Sequence, residues 1–327
     1  MRLLPRIGLM GLAGIVMVPL AGRAQTPWPQ RPVTMIVSQA AGSSPDVMAR
    51  LVASKLEGIL GQGIIIDNKP GAGNVIGAQA AAQAAPDGYK FFFATSAALA
   101  NNVFMLKKLP YDPVKDFVPV ALVNRSYQII VVHKDTPVKT LGDLIAIDKK
   151  EPGKYSIAVD GPRNLAGVTA QALNYLAGTR LVMVPYPNIN AGIQDIIAGR
   201  VEAGIFSISV VEQHVKSGAL RAIATASDRR VDGAPTVPAA AETIPGFDFT
   251  GWFMVVAPAG TPPDIVRKMN AAIDQAVKDP QVRDMIPKLG YEVSKVGVGT
   301  PEDAAAFLKA QLALWEKTTK DLGIEPE

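Results

Sequence analysis

The sequence predicts an α/β protein of two lobes, each a doubly wound, mainly parallel sheet flanked by helices. Three observations carry this. Short β-rich runs alternate with helical stretches through most of the chain. Helix-start and helix-stop residues stand where the pattern changes. No linker, tandem repeat or low-complexity tract parts the two α/β units, so short crossings should join them, with a ligand site between.

The first unit reads βαβαβ. "VTMIVSQ" (33–39) is a strand, and "SSPDVMARLVASKLEGILG" places Val47, Leu51, Val52, Leu56 and Leu60 on one helical face. Ser44 can cap that helix, Pro45 suits its first position and Asp46 its first turn. "GIIIDN" and "KFFFATS" are strands on either side of the helical "GAQAAAQAA", which Pro86-Asp87-Gly88 stops. Right-handed crossovers make this a parallel sheet.

The rhythm resumes beyond residue 125. Strands are expected at 128–133, 155–159, 181–186, 203–208 and 220–227, with helices near 164–177, 190–199 and 210–217. "GWFMVVAPAG" (251–260) is a further strand. Three helical stretches close the chain, each with proline near its start: "PPDIVRKMNAAIDQAVKD", "PQVRDMIPKLG" and "PEDAAAFLKAQLALWEKTTKDLG".

Composition narrows the partners. The net charge is +4, but residues 1–24 contain Arg2, Arg6 and Arg23 and no acid, so the remainder carries +1. Near-neutrality gives no electrostatic reason for nucleic acid or an anionic membrane. The leading segment reads as a secretory signal: a basic start, an apolar run from Ile7 to Leu20, then Gly22 and Ala24, with cleavage before Gln25. A membrane anchor is the other reading, but the run is short for a span of roughly 20 residues. The chain has 0 cysteines, which excludes disulfides, thiolate chemistry and a lipid-modified cysteine. A free, soluble periplasmic protein is expected.

Little points to catalysis. The 2 histidines, His133 and His214, have no companions at metal-ligand spacing. No GxSxG elbow is present, and Asp112 and Asp116 lie in the turn-rich "YDPVKD" as solvated acids. No metal, cofactor or catalytic residue is expected. "PGAGNVIGA" (70–78) invites a nucleotide reading, because glycines between strand and helix let backbone approach an anion. Its spacing is GxGxxxG, however, and the next strand ends in Thr95 and Ser96 without the acid that a ribose requires.

"WPQRPVTMIVSQAAGSSPDVMARLVASKLEGILGQGIIIDNKPGAGNVIGAQAAAQAAPDGYKFFFATS", "LPYDPVKDF" and "GWFMVVAPAGTP" resemble the Bug-type substrate-binding proteins, the periplasmic receptors of tripartite tricarboxylate transporters. The resemblance covers essentially the whole mature chain. It implies a type II clamshell with two crossing segments, lobe 1 at 25–124 plus 249–327 and lobe 2 at 125–248. It further implies a small carboxylate in the cleft, membrane permease subunits as partners, a monomeric state and no catalysis. A ligand-sensing role toward a signalling partner uses the same closure, and an enzyme on this architecture would need a catalytic constellation.

Carried over residue by residue, the first loop gives Gln39, Ala40, Ser43 and Ser44 as ligand contacts, with Asp46 in a structural role. The second gives Gly71, Ala72, Gly73 and Asn74, and the third Ser96 and Asn101. In lobe 2 the turn "VDGPRNLAG" offers Asp160, Gly161, Arg163 and Asn164, with Gly167 where the family commonly has histidine. Arg163 can clamp a second carboxylate or point into solvent. Tyr186 is a wall or hydroxyl donor. Phe206 and Ser207 replace a polar Asp-Asn pair, Phe206 either as an apolar wall or as a core residue.

Helix starts on lobe 1, at "SQAAGSSPD", "KPGAGNV" and "TSAALANN", would hold a carboxylate through unpaired amides. With Arg163 and Lys69 as the cations at hand, and the lobe-2 acid of that Asp-Asn pair replaced, the expected ligand is a mono- or dicarboxylate with an aromatic or aliphatic body. Citrate and free amino acids fit less well.

Overall fold

The computed structural model describes residues 28–162, 164–293, 297–321, 323 and 325–326. Residues 1–24, expected as a secretory signal, and Arg163 lie outside the described residues.

The first lobe opens with β1 (Val33–Val37), α1 (Ser44–Leu60), β2 (Ile64–Asn68), α2 (Val75–Ala82), β3 (Lys90–Thr95), the short α3 (Asn102–Met105) and β4 (Phe117–Ser126). After Tyr127 the chain enters the second lobe: β5 (Gln128–His133), α4 (Leu141–Lys150), β6 (Ser156–Val159), α5 (Leu165–Ala177), β7 (Val182–Pro185), α6 (Ile189–Ile197), β8 (Ala203–Ser207), α7 (Ile208–Lys216) and β9 (Leu220–Thr225). It returns through 226–250 to β10 (Gly251–Pro258), α8 (Pro263–Lys278), α9 (Pro280–Met285), β11 (Tyr291–Glu292) and α10 (Pro301–Asp321).

The first sheet has the order β11-β4-β10-β3-β1-β2 and the second β7-β6-β8-β5-β9. In each sheet the βαβ crossovers produce parallel pairs, β1 with β2 and β3, and β6 with β7 and β8. The strands leading from lobe to lobe pair antiparallel: β10 with β3 and β4, and β5 with β8 and β9. Both sheets are therefore mixed.

Strand alternation divides the core. Val33, Met35, Val37, Phe91, Phe93 and Val255 face α1 and α8, while Ile36, Phe92 and Val256 face the opposite side. On lobe 2 a further cluster joins Ile129, Val131 and Phe206 to Ile193, Ile196 and Val211 of α6 and α7.

Three elements were not legible beforehand. β4 carries Pro119, which argues against a strand. The proline sits where the register with β10 shifts, between Val255 opposite Ala121 and Val256 opposite Pro119. A bulge tolerates the missing donor. α4 starts at a capping box, with Thr140 accepting from the Asp143 amide and the Asp143 carboxylate accepting from Thr140. The third, β11, has only 2 residues.

Candidate functional site

The loops after the carboxyl ends of the parallel strands meet between the sheets, as α/β topology requires. They enclose a cleft of about 640 Å³ bordered by Gln39, Ser43, Ser44, Gly71, Gly73 and Asn74 from lobe 1. Lobe 2 contributes Asp160, Asn164, Asn188, Ile189, Ser207 and Val210. Deeper, against the crossing strands, a recess of about 60 Å³ lies among Ser96, Gln128, Asp160, Ser207, Gly251 and Trp252.

The first loop is built around Asp46. Ser44 was expected to cap α1, but Ser43 occupies the cap position and its side chain makes no capping bond. Asp46 organises the turn from within the helix. Its carboxylate accepts from the Gly42 amide at 2.8 Å, from Asn68 Nδ2 at 2.9 Å and from Arg50 Nε at 3.0 and 3.1 Å. Burial alone would push this carboxyl up, but Arg50, Gly42 and Asn68 together hold it below the usual range. Ser43 Oγ is consequently left buried with no partner.

The second loop explains the glycines of "PGAGNVIGA". Positions 71 to 74 all have positive φ, at 128°, 47°, 61° and 78°, and only Ala72 and Asn74 are not glycine. Gly77 serves another purpose: a Cβ there would lie 2.7 Å from Ser38 Cα, so α2 packs directly on the end of β1. Asn74 Oδ1 accepts from Ser38 Oγ at 2.9 Å and from Gln39 Nε2 at 3.2 Å. Asn74 thus locks the first loop to the second, and Asn102 Nδ2 donates to the Gly73 carbonyl at 2.8 Å.

On lobe 2 the turn after β6 lies tight on α5. A Cβ on Gly167 would fall 2.2 Å from the Gly161 carbonyl oxygen. The histidine expected of relatives at this place would force the turn outward. Asn164 caps α5 by position without a side-chain bond, and Ser207 does the same for α7. Asn188 caps α6 by accepting from the Asn190 amide at 3.1 Å.

The helix starts are the main electrostatic feature. α1, α2, α5 and α7 begin at the cleft without a cap bond from the N-cap side chain. This leaves first-turn amides to water or ligand, except that the Val75 amide donates to the Ala72 carbonyl and the Ala166 amide is turned to the Asp160 carboxyl. Each such start favours an anion by roughly 0.3–1 kcal/mol, more when partly buried. Among the described residues bordering the cleft and the recess there is no lysine, arginine or histidine, and Asp160 is the one ionisable side chain. Burial pushes the Asp160 carboxyl up to about 7, with the amides of Asp160 and Ala166 opposing.

Of the sequence-predicted residues, Gln39, Ala40, Ser43, Ser44, Gly71, Gly73, Asn74, Asp160, Asn164 and Ser207 border the cleft, and Ser96 borders the recess. Phe206 does not: it is 0% exposed, in the core beneath α6 and α7. Tyr186 donates its hydroxyl to Asp195 at 2.6 Å and packs on Gly192, away from the cleft. Asn101 is 0% exposed, with neither amide atom partnered. Ala72 and Gly161 shape their turns without bordering the cavity. Lys69 pairs with Asp67 at 3.2 Å and is not a cleft cation. Arg163 lies outside the described residues.

Reading the sequence missed the α6 start, Pro187 to Asn190, and Gln128. The strand-loop-helix rule that selected the other loops points equally to residues 186–190. Among the described residues no group of acids and histidines could hold a metal, and no helix is long and apolar enough to cross a membrane.

A family model described as "Tripartite tricarboxylate transporter family receptor" matches residues 48–324. The protein BugT of Bordetella pertussis is 32% identical over 324 residues, covering 98% of each chain. Rpa4515 of R. palustris, solved with adipate, superposes with a TM-score of 0.85 at 30% identity, covering 92% of this chain and 100% of that one. MatC of Rhodopseudomonas palustris, solved with bound malate, gives 0.81 at 30% identity, covering 89% and 99%. Family and structural neighbours are solute-binding proteins, not enzymes.

Proposed function

The chain belongs to the tripartite tricarboxylate transporter receptor family, and from that premise we propose that it is a periplasmic receptor for a small mono- or dicarboxylate. It takes the ligand in the interlobe cleft, closes on it as a monomer and delivers it to the membrane permease subunits. The lobes divide at about 25–124 plus 249–327 and 125–248, which puts the crossings next to Tyr127 and Phe249.

The observation that carries this reading is the convergence of uncapped helix starts from both lobes on one cavity. Amides supplied by two lobes bind an anion best when the lobes come together, which couples binding to closure. Pro70, Pro187, Ile189 and Val210 border the same cleft and suit an apolar ligand body. The absence of a described cation in the lining argues against three carboxylates. The bound adipate and malate of the relatives support the same class.

Calorimetry with adipate, succinate, benzoate, terephthalate and citrate, paired with small-angle scattering, tests the reading. A mono- or dicarboxylate is expected to bind and contract the molecule. Citrate binding far tighter than every other acid overturns the ligand class, and failure of all carboxylates to bind overturns the receptor role.

A further inference from the structure

The lobe-2 wall of the cleft carries one acid, Asp160. Of the two residues at the end of β8, Phe206 is wholly buried and Ser207 borders the cleft. β6 pairs parallel with β8, with Ala158 opposite Gly204. Asp160 directly follows the end of β6 and Ser207 closes β8, and the two border the same cavities.

The surroundings of Asp160 define what it needs. It borders both the main cleft and the inner recess. Its Oδ1 is inaccessible to solvent and has no hydrogen-bond partner. The polar side chains that share both cavities with it are Gln39, Ser44, Asn164 and Ser207, all uncharged, and no described lining residue is a cation. Asn164 Nδ2 is spent on the Asp160 backbone carbonyl at 3.3 Å. The backbone amides of Asp160 and Ala166 act on the carboxyl, yet Oδ1 still has no donor. An ionised carboxyl is acceptor-only, and leaving one of its oxygens unmatched is costly. A second carboxylate placed against it makes this worse. A donor makes it better.

We infer that Asp160 is a specificity-determining residue that accepts a hydrogen bond from the ligand, so that the cleft selects carboxylates bearing a hydroxyl or ammonium group over their unsubstituted counterparts. This rests on the receptor reading above and narrows its ligand class. The free carboxyl is held near neutrality by burial. A donor-bearing ligand stabilises its charged form and releases a proton, whereas a ligand carboxylate set against it drives proton uptake.

The test is isothermal calorimetry on the full mature protein with matched acids: succinate, malate and aspartate; adipate and 2-hydroxyadipate; phenylacetate, mandelate and phenylglycine. Running each binder in two buffers of different ionisation enthalpy counts protons. Donor-bearing members of a binding frame are expected to bind roughly ten- to a hundred-fold tighter and to release protons. Asp160→Ala is expected to erase that preference, so that the members of a matched frame bind with equal affinity. Asp160→Asn, isosteric and uncharged, keeps the fold if the smaller side chain does not, and is expected to remove the preference for ammonium most. Equal affinity across a matched frame, a preference surviving both variants, or proton uptake on binding overturns the inference while leaving the receptor role intact. If no carboxylate binds the wild type, the receptor role fails and this inference with it.

Discussion

Ser207 Oγ donates to Ser44 Oγ across 3.4 Å and joins the two lobes at the floor of the cleft. Ser44 Oγ is itself 2.5 Å from Tyr291 Oη, and the Tyr291 hydroxyl also donates to the Ser44 carbonyl at 2.9 Å. The lobes thus touch through small side chains on two helix starts. Ser207→Trp should wedge them apart. Affinity is expected to fall at least ten-fold, about 1.4 kcal/mol, and scattering should show no ligand-induced contraction. Unfolding of the ligand-free protein should move by only a few degrees. Unchanged contraction would contradict the closure geometry.

The turn after β6 depends on a missing side chain. Gly167→Ala puts Cβ 2.2 Å from the Gly161 carbonyl oxygen and 2.6 Å from Pro162 Cα, backbone atoms that cannot rotate away. A loss of about 1–3 kcal/mol is expected, together with weaker ligand binding as Asp160 and Asn164 shift. Gly142→Ala in α4 is the control: its nearest neighbour would be Thr140 Oγ1 at 3.6 Å. It should be neutral or stabilise by up to about 1 kcal/mol. Urea titration of both variants separates packing from helix propensity.

The crossing itself is held by polar contacts. Glu292 accepts from Arg229 Nη2 at 2.9 and 3.1 Å and from Tyr127 Oη at 2.7 Å. Burial and the Glu292 carboxylate push the Tyr127 phenol well above its ordinary value. Because Arg229 and Glu292 are half exposed, the ion pair contributes only about 0–1 kcal/mol. Arg229→Ala should therefore lower the melting temperature little, yet it frees the angle between the lobes. A broadened scattering envelope of the ligand-free protein, with near-normal stability, is the expected signature.

Two carboxyls should give opposite pH dependences. Asp160, raised to about 7 by burial from an unfolded value near 3.9, binds more protons folded than unfolded between those limits. Its contribution is favourable at low pH and is lost as pH rises toward neutrality. Relative to Asp160→Asn, the wild-type melting temperature should fall between about pH 4 and pH 7. For Asp46, burial opposes ionisation but Arg50, Gly42 and Asn68 prevail and lower its pKa. Its stabilisation is present above about pH 4 and is lost as pH falls. The advantage of wild type over Asp46→Asn should accordingly vanish in acid. Parallel melting curves for either pair would remove that assignment.

Most of the fold was legible because its signals are local. Apolar runs, proline at helix starts and glycine at helix ends placed β1, α1, β2, β3 and the strands of the second lobe within a residue or two. β4 was hidden by Pro119, which only its bulged pairing with β10 accommodates. The cleft loops followed from one topological rule, that loops at strand carboxyl ends line the crevice. The family resemblance named Ser43, Asn74, Asp160, Asn164 and Ser207 within such loops, and all five border the cleft. It could not tell that Phe206 turns inward: along a strand, successive side chains alternate faces, and which face is core depends on the neighbours. Tyr186 failed for a similar reason, its hydroxyl being taken by Asp195, 9 residues away along the chain.

By itself the sequence determined the alternation of strands and helices, the glycines that let backbone close in, and a nearly neutral chain without thiol chemistry. These depend on residues within a turn or two of one another, where propensity and steric limits act directly. Only the tertiary structure decided that four uncapped helix starts share one cavity, that Asn74 ties two loops together, and that Asp160 is left with an unpaired oxygen at the cleft. Those properties depend on which distant groups exclude water or supply partners, and solvation of a polar atom is set by everything packed around it.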